Sequence, residues 1–167
     1  MNKMKPIRTL ALAGIALVMA LTLASCMGFS DNSEEDQQTA SRQYMSQINQ
    51  ILDDLNAELG SFGEAVAQDD VVTMRKLSEN ARTSIEAMEK LTPPEDLQST
   101  HEGYIKGCQK LQEALSDYIT LYTEVEKATE EKPFDFDSYD DRIKTIQDKY
   151  NEGIKTLEET DAEVSEL

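Results

Sequence analysis

The sequence predicts an all-α fold, an up-down-up-down antiparallel four-helix bundle with coiled-coil-like seams. From residue 38 onward apolar residues recur every three or four positions, and no run shows the alternation of a β-strand. These apolar positions form four stripes, separated by short breaks that contain Gly, Pro or Asp. Four amphipathic helices with short connections can bury their stripes only against one another, which makes sequence neighbours antiparallel. Three long coiled-coil helices with an accessory helix are the nearest alternative.

The first helix is predicted over residues 38–67, where Gly60 and Gly63 weaken the last turns, so that it ends just before them or bends there. The second helix is predicted to begin after Asp69 or Asp70, because either side chain can cap it. The apolar positions of these two helices are Tyr44, Ile48, Leu52, Leu55, Leu59, Phe62 and Val66, followed by Met74, Leu77, Ala81, Ile85, Met88 and Leu91.

The third helix is predicted over residues 93–130, starting at a capping box formed by the sequence Thr92-Pro93-Pro94-Glu95. Pro133 then breaks the helical pattern. The fourth helix is predicted to begin at Asp137 or Ser138 and to run to about Ala162. The two apolar seams are Leu97, His101, Tyr104, Cys108, Leu111, Leu115, Tyr118, Tyr122 and Val125, and then Tyr139, Ile143, Ile146, Tyr150, Ile154 and Leu157.

The N-terminal segment has the architecture of a signal peptide. Three basic residues within the first eight positions precede an apolar segment over residues 10–23, which is shorter than the ~20 residues of a membrane-spanning helix. The stretch Leu23-Ala24-Ser25-Cys26 resembles the lipobox of bacterial lipoproteins. This resemblance implies cleavage before Cys26, a thioether-linked diacylglycerol on its sulfur and an acyl group on the new amino terminus. Two or three lipid chains hold a protein on a bilayer much more firmly than one.

The predicted organisation is a signal peptide over residues 1–25, a lipidated Cys26 with a flexible tether to residue 38, and a helical bundle domain over residues 39–167. The predicted location is the extracytoplasmic face of the cell membrane. The alternative is an uncleaved membrane anchor or a cytosolic apolar helix. The bundle helices and the Thr-Pro-Pro-Glu turn also resemble uncharacterised helical-bundle lipoproteins of bacteria, which implies no particular function.

Composition restricts the partners of the mature chain. Removal of residues 1–25 leaves 142 of 167 residues and takes away three bases and no acids, so the formal charge changes from −17 to −20. Such a charge repels nucleic acid phosphates and anionic lipid headgroups. We therefore expect no nucleic-acid partner, and contact with the membrane through the lipid anchor alone. The acidity indicates solubility, and the alternative is attraction of cations or of a basic partner.

The sequence predicts no catalytic residue, no metal site and no cofactor other than the lipid on Cys26. His101 and Cys108 stand seven residues apart, which separates their backbones by about 10 Å and prevents joint ligation of one ion. The Asp residues between positions 135 and 141 lack the spacing of a calcium loop. Cys108 lies on an apolar seam and is interpreted as a core residue. Since no Gly-rich phosphate loop occurs either, we expect that the protein is not an enzyme.

Aromatic residues supply the candidate binding surface. Antiparallel helices place the connections at residues 67–70 and 132–137 at the end remote from the tether. The candidate binding residues are Tyr118, Tyr122, Phe134, Phe136 and Tyr139 at that end, together with His101. The alternative is that Phe134 or Phe136 folds over the end of the bundle, that the tyrosines belong to the core and that His101 is a buried, hydrogen-bonded residue. Gly103 and Gly107 are expected to allow close approach of a neighbouring helix, and the alternative is a small groove.

Two functions follow from this reasoning. The first is a membrane-anchored extracytoplasmic lipoprotein that acts as a non-catalytic binding or scaffold module and meets an envelope protein partner. The second is a lipoprotein that binds a small ligand or a cation through its tyrosine-rich, membrane-distal end.

Overall fold

The computed structural model describes residues 32–165, with the side chains of residues 36–164. The helices are α1 (Asn32–Ala67), α2 (Val71–Glu89), α3 (Gln98–Glu126) and α4 (Tyr139–Ser165), with 3-10 turns at Glu95–Leu97 and Phe136–Ser138. No strand occurs over this range, so the predicted all-α class is confirmed. The signal peptide, the lipobox and the predicted lipidation of Cys26 lie outside the described residues.

Helix α1 is longer than the sequence predicted. It begins at Asn32, so residues 32–38 of the predicted tether are helical. Gln37, Gln38 and Ala40 favour helix even where side chains stay exposed. The helix also continues through both glycines to Ala67 and does not end before them. Burial of Phe62 close to them offsets the weak helix preference of glycine.

Helix α2 begins as the sequence predicted, because Asp70 caps it. The Asp70 carboxylate accepts the backbone N–H of Thr73 at 3.0 Å and the Thr73 hydroxyl at 2.6 Å. Asp69 occupies the left-handed region with φ of 57°. Aspartate tolerates this region better than most residues, and it forms part of the three-residue connection between α1 and α2.

The start of the third helix differs from the prediction. The residue before the first turn is Pro94 and not Thr92, and no side chain caps the turn, so the predicted capping box is wrong. A proline keeps the preceding residue out of the helical region, and Pro94 itself is extended with ψ of 158°. The chain therefore enters α3 through the 3-10 turn at Glu95–Leu97. The helix ends at Glu126, four residues earlier than predicted.

Helix α4 follows a second capped turn. The Asp135 carboxylate accepts the backbone N–H of Asp137 at 3.1 Å, and the α-helix proper starts at Tyr139, just after the predicted start. The predicted break around Pro133 is confirmed, since residues 127–135 belong to no helix.

Helix α3 is the most deeply buried helix. Every residue of its predicted seam is buried except Val125, which is half-buried. Gly107 and Gly153 bring α3 and α4 into close backbone contact: a Cβ atom on Gly153 would lie 2.9 Å from the carbonyl oxygen of Gly107. A Cβ on Gly103 would collide with Thr160. The close approach predicted at Gly103 and Gly107 is confirmed.

Ion pairs and hydrogen bonds join α3 and α4 at several points along the two helices. Lys110 pairs with Glu152 at 3.3 Å, and the Lys149 ammonium donates to Asp117 at 2.6 Å. Further along, Arg142 near the start of α4 pairs with Glu124 near the end of α3.

Helices α1 and α2 also contact α3. The Gln109 amide donates to Glu89 of α2 at 2.9 Å, and the Arg75 guanidinium of α2 donates to the Thr123 hydroxyl at 2.8 Å. On the α1 side, the Phe62 ring lies 6.0 Å from the Tyr118 ring. Extensive backbone proximity joins each helix to its neighbour in sequence, α1 to α2, α2 to α3 and α3 to α4.

Gly153 and Gly60 provide a matched test of the α3–α4 contact. We expect Gly153→Ala to lower the free energy of unfolding by about 1–3 kcal/mol, because its methyl group meets a backbone oxygen that cannot rotate away. We expect Gly60→Ala to raise it by about 0.5–1 kcal/mol, because nothing lies within 4 Å of the new Cβ and alanine favours helix. Urea unfolding followed by circular dichroism measures both, and equal effects of the two substitutions contradict the observed contact.

Candidate functional site

The candidate residues occupy two ends of the molecule. We call one of them the aromatic end. It consists of the connections at residues 67–70 and 127–138 with the adjoining helix ends. The other is the histidine end, which consists of the start of α1, the connection at residues 90–97 and the end of α4. At the aromatic end, the Tyr122 hydroxyl donates to the backbone oxygen of Asp69 at 3.3 Å. At the histidine end, Ser41 donates to Asp96 at 3.3 Å. His101 therefore lies far from the five other candidates.

Two of the predicted binding residues are part of the core. Tyr118 and Tyr122 are only 3% and 8% exposed, and their ring centroids are 6.5 Å apart. Burial raises the pKa of both phenols, so both hydroxyls are protonated. These two tyrosines pack as the core alternative expects, and neither presents its ring to solvent.

The Tyr118 hydroxyl is a buried polar group without a partner. Its oxygen is inaccessible and forms no hydrogen bond with any described residue. The hydroxyls of Tyr139 and Tyr122 are near enough to raise its pKa further through electrostatic repulsion of the phenolate. An unpaired buried hydroxyl costs about 1–3 kcal/mol relative to one that has a hydrogen-bond partner.

The remaining aromatic candidates, Tyr139, Phe134 and Phe136, contact one another at the start of α4 and become more exposed toward Phe136. The Phe134 ring lies edge-on to Tyr139 at 6.3 Å and to Phe136 at 5.1 Å. The Arg142 guanidinium stands 5.8 Å from the centre of the Phe134 ring and pairs with Glu124. Phe134 and Tyr139 are half-buried, whereas Phe136 is 65% exposed. These contacts hold an exposed aromatic side chain on a packed base.

Hydrogen bonds order the connection that carries Phe136. Thr129 and Lys132 bond each other twice, through Thr129 N–H to the Lys132 carbonyl at 3.0 Å and Lys132 N–H to the Thr129 hydroxyl at 3.1 Å. The Ser138 hydroxyl donates to the Asp135 carbonyl at 2.8 Å, beside the Asp135 cap. We call residues 127–138 the aromatic turn, and its backbone is fixed at both of its ends.

The aromatic turn is strongly acidic. The turn carries four carboxylates and two lysines, and Glu126, Asp140 and Asp141 flank it, so seven carboxylates and two lysines lie between positions 126 and 141, all on exposed residues. None of these nine groups forms an ion pair with another described residue. Their charges sum to −5, so the surface around Phe136 carries a net negative charge.

The histidine end contains a buried polar pair. His101 is 9% exposed, and its Nδ1 lies 2.7 Å from the Tyr44 hydroxyl, which can donate to a neutral imidazole. Burial lowers the pKa of His101, and the neighbouring Glu102 opposes this only in part. Burial also raises the pKa of Tyr44 to about 12. His101 is thus a buried, hydrogen-bonded residue, as the structural interpretation of the sequence expects.

A second polar pair at the histidine end was missed by sequence reasoning. The Tyr104 hydroxyl donates to Asp161 at 2.6 Å. Burial raises the pKa of Asp161, and the bond from Tyr104 opposes that shift. The partners of Tyr44 and Tyr104 are each 57 positions away along the chain, and no local pattern reveals them.

The buried groups offer little for catalysis. Burial raises the pKa of the Cys108 thiol to about 12, which keeps it protonated and weakly nucleophilic. The imidazole of His101 is engaged by Tyr44. Over residues 36–164, no three His, Cys, Asp or Glu side chains are grouped so that they could hold a metal ion. The arrangement at the aromatic end can bind a partner through an exposed ring and negative charge.

Val72 is a further exposed apolar residue that the sequence analysis did not single out. It is 74% exposed in the first turn of α2, at the aromatic end. Its position two residues before Met74 places it off the buried stripe, which is the signal that identifies it.

Comparison with protein-family models, curated proteins and solved structures gives no match to this chain. Among the described helices, none has the length and apolar character needed to cross a membrane.

Protonation of His101 makes the free energy of unfolding depend on pH, with lower stability at acidic pH. Its pKa is lowered on folding, so its contribution is complete above the unfolded value of 6.5 and is lost as the pH falls through the folded value. We expect the stability advantage of the natural chain over His101→Gln to shrink between about pH 8 and pH 5. Groups whose pKa rises on folding, such as Glu58 and Asp161, cancel in this difference. Urea titrations across this range measure it, and an advantage independent of pH contradicts the buried neutral imidazole.

Two Tyr→Phe substitutions test the polar contacts at the two ends. Tyr44→Phe leaves Nδ1 of His101 unpaired, and we expect it to lower the free energy of unfolding by about 1–3 kcal/mol. Tyr118→Phe removes a hydroxyl that has no partner, so that variant should be at least as stable as the natural chain. Thermal unfolding of both variants at one pH checks the pair, and a larger loss for Tyr118→Phe than for Tyr44→Phe is the contrary result.

Proposed function

We propose that the protein is a membrane-anchored extracytoplasmic lipoprotein whose helical domain acts as a non-catalytic binding module of the cell envelope. The observation that carries this proposal is Phe136, an aromatic side chain held 65% exposed on an ordered, acidic turn. Aromatic side chains are enriched in the buried cores of protein–protein interfaces, so an exposed phenylalanine on an ordered turn supports a site that meets a partner. The anchor rests on the lipobox sequence ending at Cys26.

We further propose that the four helices form an up-down-up-down antiparallel bundle with coiled-coil-like seams. The cross-contacts that support it are Lys110 with Glu152 and Arg142 with Glu124 between α3 and α4, and Gln109 with Glu89 between α3 and α2. The side-chain contact of Phe62 with Tyr118 is consistent with α1 lying across from α3 in the same direction.

In this arrangement the lipid and the binding surface are at opposite ends. The tether enters at the start of α1, which belongs to the histidine end. The 29 residues of α3 span about 43 Å at 1.5 Å per residue, so the aromatic end stands far from the bilayer. Repulsion between the acidic domain and anionic headgroups favours this upright orientation.

The non-catalytic role is supported by the burial of His101 and Cys108, the two side chains best suited to acid-base or nucleophilic catalysis. His101 is buried against Tyr44, and Cys108 is a protonated thiol in the core. Neither is presented to a substrate, whereas Phe136 is presented to solvent.

The anchor is tested by comparing the two cysteines of the chain. We expect Cys26→Ala to prevent lipid attachment and lipoprotein processing, so that the immunoblot shows the uncleaved precursor, because the lipid has lost its sulfur. Cys108→Ala serves as the matched control and should be processed normally and stay in the membrane fraction, because that thiol is buried in the domain. Fractionation and immunoblotting of the full chain measure both. Normal processing of Cys26→Ala contradicts the proposal.

A second candidate function, binding of a small ligand or cation at the aromatic end, is favoured by the unpaired hydroxyl of Tyr118. A ligand that hydrogen-bonds this atom at 100 times its dissociation constant stabilises the fold by about 2.7 kcal/mol. A thermal-shift screen with metal ions, amines and phenols should then find a compound whose effect disappears in Tyr118→Phe. A screen without any shift removes this candidate, and a shift that Tyr118→Phe retains places the ligand elsewhere.

A further inference from the structure

We propose that the aromatic turn is the docking surface for a basic envelope protein, which receives the Phe136 side chain in an apolar pocket bordered by lysine or arginine. This inference rests on the proposed extracytoplasmic function and specifies the partner of that same surface. Three observations carry it: the exposure of Phe136, the hydrogen bonds that order its support and the net negative charge around it.

Phe136 has the properties of an interface anchor. It is 65% exposed although Phe134 offers it an aromatic neighbour at 5.1 Å. Burial of the Phe136 side chain in a partner removes apolar surface from water, which favours association. The hydrogen bonds at Asp135 and Ser138 fix the backbone on either side, so little ordering entropy remains to be lost on binding.

The negative charge around Phe136 favours a partner whose binding surface is positively charged. Seven carboxylates and two lysines between positions 126 and 141 leave the rim of the anchor negative, and none of them is neutralised by an ion pair with another described residue. Arg142, the cation beneath the turn, is engaged by Glu124. A partner with cationic groups around its pocket gains both steering during association and complementarity in the complex.

The same features argue against other occupants. Phe136 projects from a turn and is not enclosed, so it fits a concave protein surface better than a small ligand. A second copy of the chain brings a like charge of the same magnitude, and anionic headgroups are likewise repelled.

Photo-crosslinking at position 136 tests the inference in cells of the host. The full chain carries p-benzoylphenylalanine in place of Phe136, the cells are irradiated, and the membrane fraction is analysed by immunoblotting and mass spectrometry. We expect one major protein adduct, with the crosslinked peptide flanked by lysine or arginine in the partner. The same photoreactive residue at Ser116, exposed in the middle of α3, is the control and should give no such adduct.

The role of charge is tested with two triple variants of equal net charge. Neutralising Glu130, Glu131 and Asp137 in the aromatic turn should lower the adduct yield at least about fivefold. Neutralising Asp53, Glu102 and Glu163, which are exposed elsewhere, should leave the yield unchanged. Asp135 is kept because it caps the turn. Circular dichroism of each purified variant checks that the helices are retained.

Several results would overturn the docking surface. They are no adduct at position 136 beyond that at position 116, an adduct with lipid or with a second copy, a crosslinked peptide that is acidic, and equal yields from the two triple variants. The amount of the chain in the membrane fraction distinguishes a failure of the docking surface from a failure of the proposed lipoprotein function. A chain missing from that fraction contradicts the lipid anchor, whereas an anchored chain without the adduct contradicts only the docking surface.

Discussion

The burial of α3 is the constraint on which the rest of the molecule depends. Its seam faces α1, α2 and α4, and it approaches α4 so closely that the backbones meet at Gly107 and Gly153. The polar contacts at the two ends also belong to α3, through His101 and Tyr122. Because these contacts share one helix, a change that shifts α3 disturbs both ends together.

This arrangement separates the interior from the surface that can bind. Tyr118 and Tyr122 contribute their area to the core, while the aromatic turn lies beyond the last turn of α3 and carries Phe136 into solvent. The core supplies a rigid base for that turn through Tyr139 and Phe134. The proposed binding therefore depends on the ordered, acidic aromatic turn and not on the tyrosines of the core.

Much of the fold could be predicted because helical periodicity reports burial directly. The α3 seam and the Asp70 cap were predicted correctly, since both depend on local spacing. The start of α3 was predicted incorrectly. Pro94 excludes the helical conformation from the residue before it, and this restriction outweighs the capping signal of Thr92. For the candidate site, seam membership already favoured burial of Tyr118 and Tyr122, whereas Phe136 belongs to no seam. The Tyr44–His101 pair depends on the register between two helices, which no local pattern encodes.

Hydrogen exchange of the full chain tests the central role of α3 most directly. We expect backbone amides from Tyr104 to Tyr122 to exchange more slowly than those of every other helix, and only through global unfolding, because opening α3 requires the loss of contacts with all three neighbours. Their exchange should then respond to urea with the same slope as unfolding of the whole domain. Amides of α1 or α2 that remain protected after those of α3 have exchanged would show that α3 is not the most stable part of the domain.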